Sequence, residues 1–321
     1  MTDAVIACSG PIGEVAIEIL KPHGDIAVAE DSSEEALLKI VENAVGLVLR
    51  GDGVGSARVI ERATDLKVIG RSGVGFDNVD IQVANSRKIP VIITPGANSQ
   101  AVAEAALTFM LALCKKMIHW DRQLKHGNWR SRFEQSSGDL EGATLGIIGF
   151  GRIGRKLAQL IRPFDMTVLA YDPFVTEDAA SALDTDLVDV DQLLMRSDFV
   201  CIHALLNEDT RGLIDKARLD SMKPGSFLIN LARGAIIENL DVLYDALTEG
   251  PLAGVGLDVF DPEPPDINHP IFKLDNCLTS PHAICMSTRA MYRSFKMMAE
   301  DMAAVLEGRQ PHFVANPEAL A

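Results

Sequence analysis

The sequence predicts an α/β protein made of two doubly wound parallel-sheet domains. Short apolar runs alternate with helix-length segments in two separate series, which is the pattern of βαβ units and parallel sheets. A glycine-rich turn opens the second series at Gly149, far from the N-terminus, so one α/β domain precedes it. With 321 residues, 47% of them hydrophobic, the chain can bury two cores.

In the first series, Val5-Ile6-Ala7, Ile26-Ala27-Val28, Leu47-Val48-Leu49, Val68-Ile69-Gly70 and Val91-Ile92-Ile93 are the expected strands. A long helical pattern rich in Ala, Leu and Met then runs from Asn98 to about His126. The polar stretch after it holds Trp120 and Trp129 and reads either as a surface loop or as an arm that packs on a second subunit. The second series supplies six apolar runs, starting at Thr144, Thr167, Phe199, Phe227, Val255 and Cys277, enough for a complete doubly wound sheet. A final helical segment from about Met286 to Leu306 is expected to return to the first domain. That makes the first domain discontinuous, 1–98 plus 286–321, around a second domain of 99–285 that includes the linking helix and a candidate dimer arm at 120–142.

A formal charge of −15 and a pI near 4.9 disfavour nucleic acid or an anionic membrane surface as partner, since both call for clustered Lys and Arg. A small molecule fits better. The five cysteines are scattered and never spaced as C-x-x-C, so they read as free thiols in a reducing compartment, and no metal site is expected. Asp3, with no basic stretch ahead of the first apolar run, argues against an export signal. The helical pattern near Ala101 to Cys114 is interrupted by Glu104 and is too short to span a bilayer. A cytoplasmic location is the expectation.

Gly149-Phe150-Gly151-Arg152-Ile153-Gly154 directly follows an apolar strand and opens a helical run. In that context G-x-G-x-x-G reads as a pyrophosphate loop. Gly149 permits the tight turn, Gly151 lets backbone approach the phosphates, and Gly154 lets helix and strand pack closely. The next expected strand ends in Tyr171-Asp172-Pro173, where a carboxylate would accept hydrogen bonds from an adenosine ribose. No Arg or Lys stands between Asp172 and Arg196 to neutralise a 2′-phosphate. NAD is therefore the expected cofactor, against the bland alternative of a turn-forming Asp-Pro.

Hydride exchange between a nicotinamide and a 2-hydroxy acid needs a cation for the carboxylate and carbonyl, and an acid/base for the oxygen proton. Arg233 follows the run Phe227 to Ala232, Glu263 lies on the proline-rich loop Asp261 to Pro265, and His282 follows the run at Cys277. Each has a bland reading, as a salt-bridged loop arginine, a solvated carboxylate or a core histidine. All three fall after successive strands of one sheet, on the edge where open α/β sheets bind ligands. A Glu paired with the His would fix its tautomer and favour its protonated form.

Taken together, Gly70 to Asp80, the Gly149 to Gly154 loop, Asn230 to Gly234, Gly256 to Phe260 and Ser280-Pro281-His282 resemble the D-2-hydroxyacid dehydrogenases, most closely the D-3-phosphoglycerate dehydrogenase branch. The resemblance implies a Rossmann NAD-binding domain inserted into a flavodoxin-like substrate domain, and a homodimer. It implies Arg233 as carboxylate anchor, His282 as acid/base and Glu263 as its partner. For the cofactor it implies Arg152 and Ile153 beside the pyrophosphate, His203, Thr210 and Ala232 near the dinucleotide, and Asp258 at the nicotinamide carboxamide. For the substrate it implies Ser72, Gly73, Val74 and Gly75, whose amides hold a carboxylate, and Arg50.

Three departures bear on the substrate. Ala283-Ile284-Cys285-Met286 replaces the glycines that often follow the family's histidine, and His203-Ala204-Leu205 lacks the usual proline. Gly51-Asp52-Gly53 sets an acid beside Arg50, which argues against a phosphorylated substrate. The expected function is reduction of a small 2-oxo acid such as hydroxypyruvate, glyoxylate or 3-phosphohydroxypyruvate to its D-2-hydroxy acid. The alternative is an NAD-sensing corepressor or scaffold on the same fold. Whether Arg130 or Arg132 reaches a partner subunit's site stays open.

Overall fold

A computed structural model describes residues 4–320; Met1 to Asp3, including the Asp3 of the export-signal reading, and Ala321 lie outside the described residues. The chain forms two compact units, one comprising the chain up to Asn98 together with that from Met286 on, the other Ser99–Cys285.

In the first unit, β1 (Val5–Cys8), β2 (Asp25–Val28), β3 (Ala44–Leu49), β4 (Val68–Arg71) and β5 (Val91–Ile92) form a five-stranded sheet in the order β2-β1-β3-β4-β5. Every neighbouring pair is parallel. The central strand β3, Ala-Val-Gly-Leu-Val-Leu, is buried on both faces, which is why it reads as a continuous apolar run rather than an alternating one. Leu37, Leu47, Val59, Ile60 and Ile69 pack on one face. On the other, the helix Thr288–Leu306 lays down Phe295, Met298 and Met302 against Ile6, Val48 and Val68. Burial of each such side chain contributes roughly 1.5–3 kcal/mol. Ser287 starts this helix by accepting the Ala290 N–H. Buried Asp301, on the same helix, then accepts the N–H groups of His312 and Phe313, and Val314 pairs antiparallel with Ile92 at the sheet edge.

The second unit holds seven parallel strands: β6 (Thr144–Ile148), β7 (Thr167–Tyr171), β8 (Thr185–Leu187), β9 (Phe199–Ile202), β10 (Ser226–Asn230), β11 (Leu252–Leu257) and β12 (Cys277–Thr279). Their order, β12-β11-β10-β9-β6-β7-β8, reverses direction between β6 and β9. Such a switch point is where doubly wound sheets bind ligands. Six of these strands match the apolar runs. The seventh, β8, reads Thr-Asp-Leu and gives no apolar signal, because an edge strand needs burial on fewer sides. One core lies between the sheet and the helices Val190–Arg196 and Leu240–Thr248, the other beneath the helices Ser99–Cys114 and Arg152–Leu160.

The long helical pattern after Asn98 is two helices, Ser99–Cys114 and Met117–Lys125, with Lys116 between them in a left-handed conformation (φ 50°). The first is buried along most of its length; the second buries no residue. No helix among the described residues is long and apolar enough to cross a membrane.

Candidate functional site

The glycine loop lies between β6 and the helix Arg152–Leu160, and its three glycines meet three different constraints. Gly149 has φ 93°, and a Cβ there would sit 2.5 Å from the Ala204 nitrogen. A Cβ at Gly154 would run into the Gly149 carbonyl and Ile147, so only glycine lets this helix approach β6. At Gly151 nothing lies within 4 Å of a Cβ position, leaving its backbone approachable at the N-terminus of the helix. Arg152 is exposed there and Ile153 half-buried.

Asp172, one residue past β7, closes this loop. Its Oδ2 accepts the Phe150 N–H at 2.8 Å and its Oδ1 accepts the Phe174 N–H at 3.0 Å. A carboxylate has about four acceptor sites, so ribose hydroxyls can still be accommodated. On the other side of β6, the His203 N–H donates to the Ile148 carbonyl at 2.7 Å. Both His203 ring nitrogens are buried without a hydrogen-bond partner, and burial pushes its pKa down to about 4. Thr210 serves its own loop, exchanging hydrogen bonds with Asn207 and donating to the Leu205 carbonyl at 2.6 Å. Approachable backbone at a helix N-terminus, a carboxylate after the second strand and orphaned polar atoms after the fourth together fit a dinucleotide.

Arg233, Glu263 and His282 follow β10, β11 and β12. Gly234 lets the first two loops meet, because any side chain there would collide with the Phe260 carbonyl group and the Asp261 nitrogen. Glu263 is held at both oxygens: Oε1 accepts the Phe260 N–H at 3.0 Å, and Oε2 lies 2.9 Å from His282 Nδ1. Burial raises the Glu263 pKa, but hydrogen bonds from His282 and the Phe260 N–H, with the charges of His282 and Arg233, outweigh it and hold the carboxyl below its ordinary range. The carboxylate is thus ionised at neutral pH and accepts a hydrogen bond from Nδ1–H, which leaves Nε2 as the other ring nitrogen available for proton exchange. His282 itself has φ 53°, uncommon for a side chain of its size. Arg233 Nη1 donates to the Ala232 carbonyl at 2.8 Å.

Buried Asp258 engages the loop after His282, its Oδ1 accepting the N–H groups of Ala283 and Ile284. Ala232 donates its N–H to Asn230 Oδ1. Asn230 is a residue to which sequence reasoning assigned no role. It is fully buried, and its signal was only its place at the end of an apolar run before Arg233.

In the first unit, Ser72 to Gly75 follow β4, and Arg50 follows β3. Arg71 ties these loops together, with Nε donating to the Gly75 carbonyl (2.9 Å) and Nη1 to the carbonyls of Gly51 (3.0 Å) and Leu49 (3.3 Å). This arginine was also missed, because nothing in the sequence distinguishes it from a surface cation. Nothing lies within 4 Å of a Cβ position at Gly73. The Arg50 guanidinium stacks on Phe295 at 5.6 Å and donates to the Pro11 carbonyl at 2.6 Å. Asp52, two residues on from Arg50, accepts from the Ser32 hydroxyl at 2.8 Å. Thr94 Oγ1, Asn98 Oδ1 and Asn78 Oδ1 are buried polar atoms without a partner in the same unit.

Residues 107–283 match the family model described as D-isomer specific 2-hydroxyacid dehydrogenase, NAD binding domain. The chain is 39% identical over 300 residues to a D-3-phosphoglycerate dehydrogenase of Archaeoglobus fulgidus, covering 93% of this chain but only 56% of that protein. It is 36% identical over 318 residues to a glyoxylate reductase of Thermofilum pendens, covering 96% of this chain and 93% of the relative. Its fold matches the crystal structure of D-lactate dehydrogenase from Aquifex aeolicus, complexed with NAD and lactic acid, with a TM-score of 0.85 and 27% identity over 95% of this chain and 96% of that one. The chain belongs to the D-isomer specific 2-hydroxyacid dehydrogenase family, with NAD as the cofactor of its second unit.

Proposed function

We propose that the chain interconverts a small 2-oxo acid and its D-2-hydroxy acid at the expense of NAD(H). One observation carries this reading: His282 Nδ1 is 2.9 Å from Glu263 Oε2, after successive strands of the sheet that bears the dinucleotide loop. Bound NADH supplies the hydride. Gly149, Gly151, Arg152, Ile153 and Gly154 would hold its pyrophosphate, Asp172 its adenosine ribose and Asp258 its carboxamide, with His203, Thr210 and Ala232 near the dinucleotide. The negative charge of Asp172 favours NAD over NADP.

Glu263 accepts the His282 Nδ1–H and fixes the ring's orientation, and the doubly protonated ring gives its Nε2 proton to the substrate oxygen. Arg233 offers a planar, permanently charged donor set, suited to a carboxylate and to the oxygen that gains charge as the carbonyl is reduced. In the first unit, the family resemblance assigns the amides of Val74 and Gly75, and Arg50, to substrate binding as well. These are acts of positioning and charge stabilisation, which supply the larger part of such a rate enhancement. The family relatives support an oxidoreductase over the scaffold alternative.

We further infer a homodimer through the segment after the linking helix. Met117, Ile118, Leu124, Trp129 and Phe133 are exposed there, Trp129 by 61% and Phe133 by 73%, with Arg132 stacked on both rings at 4.7 Å. An apolar patch of this kind marks an interaction surface, and a sedimentation coefficient for a lone chain would remove the reading. The five free cysteines support a reducing, cytoplasmic location.

The test of function is NADH oxidation with a panel of hydroxypyruvate, glyoxylate, 3-phosphohydroxypyruvate and pyruvate, followed by absorbance. Turnover of at least one is expected, with a D-configured product. A chain that binds NADH and turns over none of them is not this enzyme.

A further inference from the structure

Two buried polar side chains outside the catalytic group close its loops. Asn230 ends β10; its Oδ1 accepts the Ala232 N–H at 3.0 Å and its Nδ2 donates to the Arg233 carbonyl at 2.9 Å. Asp258 follows the neighbouring strand β11, and its Oδ1 accepts the N–H groups of Ala283 at 2.9 Å and Ile284 at 3.2 Å. The two residues are themselves joined, since the Asp258 N–H donates to the Asn230 carbonyl at 3.1 Å. Both are buried, at 0% and 2% exposure.

We propose that Asn230 and Asp258 are positioning residues that fix the backbones presenting Arg233 and His282, an inference that rests on the function proposed above. The chemistry of each side chain suits this task. Within the Asn230 turn, one side chain has to accept at one end and donate at the other, and an amide does both. A carboxylate would set an acceptor against the Arg233 carbonyl. An apolar residue would leave a partly buried N–H and a partly buried C=O unpaired. Asp258 works through a single acceptor oxygen that captures two successive amides.

Those two amides are the ones immediately after His282, whose φ of 53° is otherwise sparsely populated for such a residue. The left-handed turn is therefore held from its C-terminal side by Asp258, while Glu263 holds the ring. Because Asn230 and Asp258 also share a backbone hydrogen bond, the Arg233 and His282 loops are referenced to the same point at the edge of the sheet. Reacting groups brought from two strands need such a common reference, since a misplacement of about 1 Å can cost about 100-fold in rate.

The test compares Asn230→Asp, Asn230→Ala, Asp258→Asn and Asp258→Ala with the wild type in three measurements: NADH affinity, steady-state reduction of the best 2-oxo acid, and hydrogen exchange of residues 231–234 and 283–285. Asn230→Asp and both alanine variants are expected to speed exchange in their own loop by about tenfold or more. Their kcat should fall about 100-fold, while in the two Asn230 variants, whose side chain has no cofactor role, the Kd for NADH stays within about threefold. Asp258→Asn keeps an acceptor oxygen and should retain kcat within about tenfold. Unchanged exchange at 231–234 in Asn230→Asp overturns the proposal, as does an Asp258→Asn variant as impaired as Asp258→Ala, since charge and not the acceptor would then matter. If an alanine variant fails to fold, the near-isosteric pair decides. A wild type that reduces no 2-oxo acid refutes the proposed function separately, and the exchange data still decide whether the two side chains hold the loops.

Discussion

The cofactor loop and the catalytic group occupy one sheet edge, yet they are built in opposite ways. From Gly149 to Gly154, the construction depends on atoms that are missing: no Cβ fits at Gly149 or Gly154, none is near Gly151, and the His203 nitrogens have no partner. Around Arg233, Glu263 and His282 the construction depends on bonds that are made. Asn230, Asp258 and Glu263 each spend their polar atoms on neighbouring backbone or on His282. A ligand can be received by the first kind of region, whereas a reaction geometry has to be fixed by the second.

The largest expected effect falls on the bonded region. His282→Ala should lower kcat by about 10³-fold, within the usual range for loss of a general acid, and should leave NADH affinity unchanged. Stopped-flow turnover with fluorescence titration of NADH measures both. Equal loss of the two would mean that the regions are not separable.

A smaller effect tests the open region by pH. His203 has its pKa lowered by burial to about 4, against an ordinary value near 6.5. Between those values the unfolded chain binds a proton that the folded chain excludes, so stability rises with pH across this window. The contribution is fully present above pH 6.5 and is lost as pH falls towards 4, by no more than about 3 kcal/mol. Urea unfolding at pH 7 and pH 5 should show part of that loss in the wild type and less in His203→Asn. An equal loss in both would place the acid sensitivity elsewhere.

The same contrast explains what the sequence revealed. The glycines of the cofactor loop are adjacent in sequence and act through backbone geometry, so their roles could be argued residue by residue. Arg233, Glu263 and His282 could be placed at strand ends because apolar runs precede them. Their mutual distances could not be read, since the first and the last lie 49 positions apart and only packing decides which side chains meet. Asn230 and Arg71 were invisible for the same reason: a buried amide and a carbonyl-binding guanidinium look like ordinary polar residues until their partners are known. The break at Lys116 escaped because helix propensity continues through it. The edge strand β8 escaped because strand pairing there needs no apolar side chain.

Gly151 provides the sharpest separation of fold from ligand. Its backbone is extended, at φ −78° and ψ −151°, a conformation open to residues with side chains, and nothing lies within 4 Å of a Cβ there. A valine should therefore fold as the glycine does, with a thermal midpoint close to that of the wild type. Its methyl groups would nonetheless stand where the pyrophosphate comes closest to the backbone. A loss of about 100-fold in NADH affinity is expected, equivalent to about 2.7 kcal/mol. The catalytic loops, whose bonds this substitution does not touch, should keep their hydrogen-exchange pattern. Unaltered NADH affinity in Gly151→Val would remove the pyrophosphate from this loop, and with it the claim that the open region exists to receive the cofactor.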